Sequence, residues 1–233
     1  MFSKTINNCI KNIQTCALCG ARDNQVHGLC ESCHADLPWL IHTCSHCAPP
    51  LARHEFELCH NCRQTPPPFH TVLAAFTYSF PLNALIPAIK YKQQPAHLGW
   101  LAAVFGDFIR ERHQGNWPDA LLPVPMHGLN HIHRGYNQAE LLADRLGTLL
   151  HIPLNKELKK SRRTPKQMSL DLEARQTNLD GAFTLASAMP DHVALVDDVM
   201  TTGSTVSTLT QLLLSQGCRR VDVWVLARTP ESR

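Results

Sequence analysis

Val193 to Thr205, VALVDDVMTTGST, is the stretch that decides the fold. Val193 to Val196 are four consecutive apolar residues, as in a strand buried on both faces. Asp197 and Asp198 follow at its C-terminal end, where open α/β sheets place their ligands. The chain must then turn through Val199, Met200, Thr201, Thr202, Gly203, Ser204 and Thr205 into a helix expected over Gly203 to Ser215. Gly203 lets the backbone approach a ligand closely. Hydroxyls, helix-start N–H groups and the helix dipole together form an anion cradle. Two carboxylates would repel a bare phosphate. A sugar phosphate satisfies both halves, with Asp197 and Asp198 accepting from the 2- and 3-hydroxyls of ribose and the phosphate seated on the helix. Mg²⁺ would offset part of the negative charge. No G-x-x-x-x-G-K-[ST] or G-x-G-x-x-G motif competes for this role. The bland alternative is an ordinary strand-to-helix turn with two solvated Asp.

Outward from this stretch the second part of the chain alternates strands and helices. Thr71 to Tyr78, Ala120 to Pro125 and Val221 to Leu226 are strand-like. Leu82 to Tyr91 and His97 to Arg112 carry helical apolar spacing. Asn137 to Leu150 is a further helix, with Asn137 as its cap and Glu140 placed to answer it. Leu158 to Asp180 is polar and basic and is expected to be a loop or hairpin. The pattern predicts an α/β fold, a mostly parallel sheet with helices on both faces.

The composition shifts at Thr65 to Phe69, TPPPF, whose prolines favour an extended connector. The boundary is set there, giving a module over 1–66 and an α/β domain over 67–233. Nine of the ten Cys lie before residue 63. They include four CxxC pairs: Cys16 and Cys19, Cys30 and Cys33, Cys44 and Cys47, Cys59 and Cys62. Each pair can bring two thiolates to one tetrahedral Zn²⁺, and two such pairs make a ribbon whose folding depends on the metal. The expectation is two zinc ions, the first on Cys16, Cys19, Cys30 and Cys33, the second on Cys44, Cys47, Cys59 and Cys62. Spacing alone leaves an interleaved pairing open. A thioredoxin-like site wants a single pair at a helix start, and an iron–sulfur cluster fits the ribbon spacing less well. His27, His34, His46 and His60 could substitute as ligands but are read as surface residues. The module is a staple, a docking surface, or a nucleic-acid contact using Arg22 and Trp39.

Hydrophobic residues make up 44% of the chain and charged residues 18%, which excludes wholesale disorder. A net charge of +3 permits a nucleic-acid partner without requiring one. No apolar run reaches membrane-spanning length, and residues 1–16 lack the pattern of a signal peptide, so a cytoplasmic location is expected.

VALVDDVMTTGST resembles the phosphoribosyl pyrophosphate (PRPP) motif of type I phosphoribosyltransferases. Pro123-Val124-Pro125, Arg134 to Leu142 (RGYNQAELL), Arg163-Thr164 with Gln167, Arg175, Asn178 and Phe183, and the cysteine-rich front extend the resemblance to the ComF family over nearly the whole chain. That resemblance implies a type I phosphoribosyltransferase-like domain behind a double zinc ribbon. It implies PRPP with Mg²⁺ as ligand, and a pyrophosphate loop at Arg134, Asn137 and Gln138. It also implies a flexible loop with Arg163, Thr164, Gln167 and Arg175. The basic run Lys159 to Lys166 is a solvated face, a lid over PRPP, or a track for a nucleic-acid backbone. Members of the family are implicated in DNA uptake during natural transformation. The implied partners are single-stranded DNA, the competence DNA helicase and the uptake machinery. With aromatics at only 6%, no long strip for stacking single-stranded bases is legible. Two alternatives share the site: an enzyme transferring ribose 5-phosphate to a nucleobase or other acceptor, and a regulator that senses PRPP. Fold does not choose among them.

Overall fold

A computed structural model of the chain describes residues 15–23, 25–51, 57–91, 94–126, 135–160, 183–185 and 188–230. The chain divides into two compact units, Met1–Leu37 and Pro38–Arg233. In the first, β1 (Gln25–Val26) and β2 (Leu29–Cys30) form an antiparallel pair followed by the short helix α1 (Glu31–Ala35).

The second unit is built on a four-stranded sheet in the order β3 (Thr71–Thr77), β8 (Arg220–Arg228), β7 (His192–Met200), β4 (Ala120–Pro123). All three pairings are parallel. Side chains alternate between faces along a strand. Val193 and Leu195 of β7, with Val221, Val223 and Val225 of β8, share one core with Val206, Leu209 and Leu213 of helix α6 (Ser204–Ser215). On the opposite face Leu121 packs against Gly147 of α5 (Gln138–Leu150). The helix α4 (His97–Arg112) lies beside α5, and α3 (Leu82–Tyr91) precedes it; the short α2 (His60–Gln64) carries Cys62. The central strands β7 and β8 are almost wholly buried, as a sheet covered on both faces requires. The open edge of β3 is covered by chain rather than water. Leu40 N–H donates to Ala75 O at 2.8 Å, Thr77 N–H donates to Pro38 O at 2.8 Å, and Trp39 bridges Phe76 antiparallel.

The strands run further than sequence suggests. β7 does not stop at Val196 but continues through the acid pair to Met200, and β8 covers 220–228. The reason is pairing: Asp197 stays opposite Val225, Val199 opposite Ala227 and Met200 opposite Arg228. The turn into the helix is therefore confined to Thr201–Gly203. The capping box is also only half formed. Asn137 Oδ1 accepts from Ala139 N–H at 3.1 Å, but Glu140 is drawn away to Lys156, 2.5 Å from Nζ to Oε1. The polar stretch after Leu158 starts with β5 (Leu158–Lys160), which pairs antiparallel with β6 (Phe183–Leu185); residues 161–182 lie outside the described residues.

Candidate functional site

The cysteines gather as two groups of four, Cys16, Cys19, Cys30 and Cys33, and Cys44, Cys47, Cys59 and Cys62, with the sulfurs of each group within 4.8 Å of one another. The pairing is sequential, not interleaved. Zn–S bonds of about 2.3 Å in a tetrahedron place sulfurs about 3.8 Å apart. Cys19 and Cys30 Sγ are 3.7 Å apart, Cys47 and Cys59 3.6 Å, and Cys47 and Cys62 3.1 Å, so each set fits zinc. The thiols also resist joint ionisation. Burial, joined by Cys59 and Cys44, pushes the Cys62 thiol up to about 12. In the first group burial opposes ionisation of Cys16, but N–H groups of Cys19, Cys30 and Leu18 outweigh it and bring that thiol down to about 6. Such crowding of thiols is what a bound dication relieves. These are two four-cysteine zinc sites.

At the C-terminal end of the sheet, β7 carries Asp197 and Asp198 on opposite faces. Asp198 is 6% exposed, and Lys90 in the last turn of α3 reaches it, with Nζ 3.0 Å from Oδ1 and 2.8 Å from Oδ2. Burial disfavours a charged Lys90, but Asp198 and Asp197 outweigh it and hold its pKa above the ordinary lysine value. Loss of water and the neighbouring Asp198 push the Asp197 carboxyl up to about 7, against a smaller pull from Lys90. Lys90 was not legible in sequence. It lies 108 residues from its partner, in a helix whose apolar spacing gives no cue.

Asp197, Val199, Met200, Thr201, Thr202, Gly203, Ser204 and Thr205 line one concavity. Gly203 has φ +82°, a conformation unfavourable to side chains, and a Cβ there would lie 2.6 Å from Met200 Cε. It precedes α6 without a side-chain cap. Thr202 Oγ1 is 2.9 Å from Ser204 Oγ and accepts weakly from Ser204 N–H at 3.4 Å. A twelve-residue helix thus presents its N-terminus, where the N-cap Gly203 has no side chain to offer, to the concavity beside Asp197.

A second hollow lies at the end of β4, lined by Pro123, Pro125, Asn137, Glu140, Lys156 and Lys160 among others. The side chain of Asn137 is committed to the frame, with Nδ2 donating to Val124 O at 3.1 Å. Gln138 is buried, and the neighbouring Tyr136 hydroxyl donates to Ile89 O, one residue from Lys90. Arg134, Arg163, Thr164, Gln167 and Arg175 lie outside the described residues. Trp39 is half-buried, its ring 4.8 Å from Phe76 and 6.2 Å from Phe108, which makes it a packing residue. No helix among the described residues is long and apolar enough to cross a membrane.

Residues 14–63 match the double zinc ribbon domain family. The chain is 35% identical to competence protein F of Haemophilus influenzae, over 87% of this chain and 91% of that protein. It is 34% identical to the DNA utilization protein YhgH of Escherichia coli K12, over the same shares. It is 25% identical to competence protein ComFC of Bacillus subtilis, over 81% of this chain and 79% of that one. Among solved structures it is similar to a purine phosphoribosyltransferase from Pyrococcus horikoshii, at 17% identity and a TM-score of 0.37, covering 59% of this chain and 86% of that one. A likeness at that score carries no argument about activity.

Proposed function

The chain belongs to the ComF family, that of competence protein F and the DNA utilization proteins, and on that premise we propose that it binds PRPP and serves the handling of single-stranded DNA in uptake. The observation that carries the ligand is the joining of opposite chemistries in one concavity. The carboxylate of Asp197 stands beside the hydroxyls and helix start from Thr201 to Thr205. Hydroxyl groups suit the first and a phosphate the second, and ribose 5-phosphate carries both. Lys90 fixes the carboxyl of Asp198, so that side chain is oriented before ligand arrives. Mg²⁺ with PRPP would take up charge at Asp197.

The reading extends to the hollow at the end of β4 for the pyrophosphate, bordered by Asn137 and Lys156, with Arg134 and Gln138 proposed to join Asn137 in holding it. Arg163, Thr164, Gln167 and Arg175 would close over it. The DNA role rests on what the relatives' names say of those proteins, and the ribbon would serve as staple or docking surface.

Calorimetric titration of the zinc-loaded protein with PRPP and Mg²⁺, with assay of released pyrophosphate against nucleobases and single-stranded DNA, tests the proposal. Saturable binding is expected, weakened at least 100-fold in Asp197→Ala/Asp198→Ala without loss of fold. Unchanged affinity in that variant sinks the ribose assignment. Pyrophosphate release that depends on one acceptor would make the protein a phosphoribosyltransferase; binding without release leaves DNA handling or sensing.

A further inference from the structure

Arg228 is the last residue of β8 and is 3% exposed. A buried guanidinium must be met by acceptors in its own plane. Its Nε donates to the carbonyl of Cys47 at 3.0 Å. Its Nη1 donates to the carbonyl of Thr201 and lies 3.3 Å from that of Met200 and 3.2 Å from that of Thr229. One rigid group therefore joins a ligand residue of the second zinc site to the two residues where β7 gives way to the cradle. Packing repeats the link. Met200 and Val206 share one core with Cys44, Cys47, Ala48, Cys59 and Cys62. The methyl of Met200 in turn occupies the space a side chain on Gly203 would need.

We propose that Arg228 is a positioning residue that couples zinc in the second cysteine site to the phosphate cradle, so that each site stabilises the other. The coupling has a physical route. The Cys47 carbonyl belongs to a tight turn in which Ala48 N–H donates to Cys44 O at 2.9 Å and Ala48 sits at φ +55°, a left-handed conformation unfavourable to an L-residue. Zinc on Cys44 and Cys47 holds that turn closed. Without the metal the turn relaxes, the carbonyl swings, and Arg228 loses the acceptor on one end of its fork. The Met200 and Thr201 carbonyls on the other end then lose the donor that fixes them. Linkage makes the effect reciprocal: a ligand that orders the cradle raises retention of this zinc. Only this last arm rests on the sugar phosphate reading.

Hydrogen exchange on the full-length zinc-loaded protein decides the matter. Amides of residues 201–206 are followed against those of β3 in the wild type, in Arg228→Met, in Arg228→Lys, in Cys59→Ser/Cys62→Ser and in the combined variants. Either lesion is expected to speed cradle exchange about ten-fold over any change in β3, and the combination no further, because both cut one chain of contacts. Arg228→Lys should behave as Arg228→Met. It keeps the charge, but one ammonium cannot span both sets of carbonyls. In parallel, PRPP with Mg²⁺ should slow alkylation of Cys59 and Cys62 about five-fold in the wild type and leave it unchanged in Arg228→Lys. Cradle exchange at the wild-type rate in both Arg228 variants, or lesions that add, would overturn the coupling. Absence of PRPP binding to the wild type would remove the ligand assignment and leave the exchange arm to judge Arg228 by itself.

Discussion

The two ends of the parallel sheet each bury an aspartate against cations, and they treat it in opposite ways. At the N-terminal end Asp222 is fully buried and well satisfied. His192 Nε2 lies 2.9 Å from Oδ2, Arg220 donates twice at 3.1 Å, and His70 Nδ1 lies 3.3 Å from Oδ1. At the C-terminal end two carboxylates compete for one lysine, and Asp197 is left with a pKa near 7. A carboxylate held by several donors stabilises a fold. An adjacent pair held by one cation is a place prepared for something else, because like charges side by side are maintained against their own repulsion. Burial alone would not separate the two ends; the ratio of donors to carboxylates does.

The largest expected effect belongs to the satisfied end. Asp222→Ala leaves Arg220 and His192 facing a buried gap, and should cost about 3–5 kcal/mol of unfolding free energy in urea denaturation of the zinc-loaded protein. PRPP affinity, measured on the fraction that remains folded, should not change. A large loss of affinity with little loss of stability would reverse the assignment of the two ends. Lys90→Met sharpens the contrast from the other side. It removes the cation that, among the described residues, sits beside the two carboxylates, but the pair can answer by sharing a proton. The expected cost is about 2 kcal/mol at pH 7.5, smaller at pH 6. Mg²⁺ should restore part of the melting temperature in this variant and none in Asp222→Ala.

Sequence reached one side of this contrast and not the other. VALVDD followed by TTGST exposes the strand, the acid pair and the helix start because all three lie within thirteen consecutive residues, each with local chemistry that limits its use. The four cysteine pairs were likewise legible in the sequence, while their sequential grouping, which spacing left open, is given by the fold. What escaped depends on contacts between distant strands and helices. Lys90 and Arg228 look like ordinary basic residues at the ends of a helix and a strand until the sheet brings them to Asp198 and to Cys47. Spacing also gave no reason to tell the two zinc sites apart. Yet Cys19 is exposed and Cys33 half-buried, whereas Cys44, Cys47, Cys59 and Cys62 are all buried in the core of the larger unit. Glu140 was misjudged for the same reason, since Lys156 competes for it from outside the helix.

The pH dependence is the most diagnostic effect, because its sign differs between stability and binding. Asp197 titrates near 7 in the folded protein and near 3.8 in a free chain. Between about pH 4 and pH 7 the folded form therefore holds a proton that the unfolded chain has lost. Stability falls as pH rises through that window, by at most about 1.4 kcal/mol per pH unit. Ligand binding that uses an ionised Asp197 must run the other way and strengthen up to about pH 7, then level off. Asp197→Asn removes both slopes, and the difference between wild type and variant cancels the titration of the PRPP phosphates themselves. Denaturation and titration series from pH 5 to pH 8.5 measure the two slopes. Parallel slopes would mean that Asp197 is only a misplaced core carboxylate. Opposed slopes would mean that the folded protein gives up stability at this residue in return for a site ready to meet its ligand.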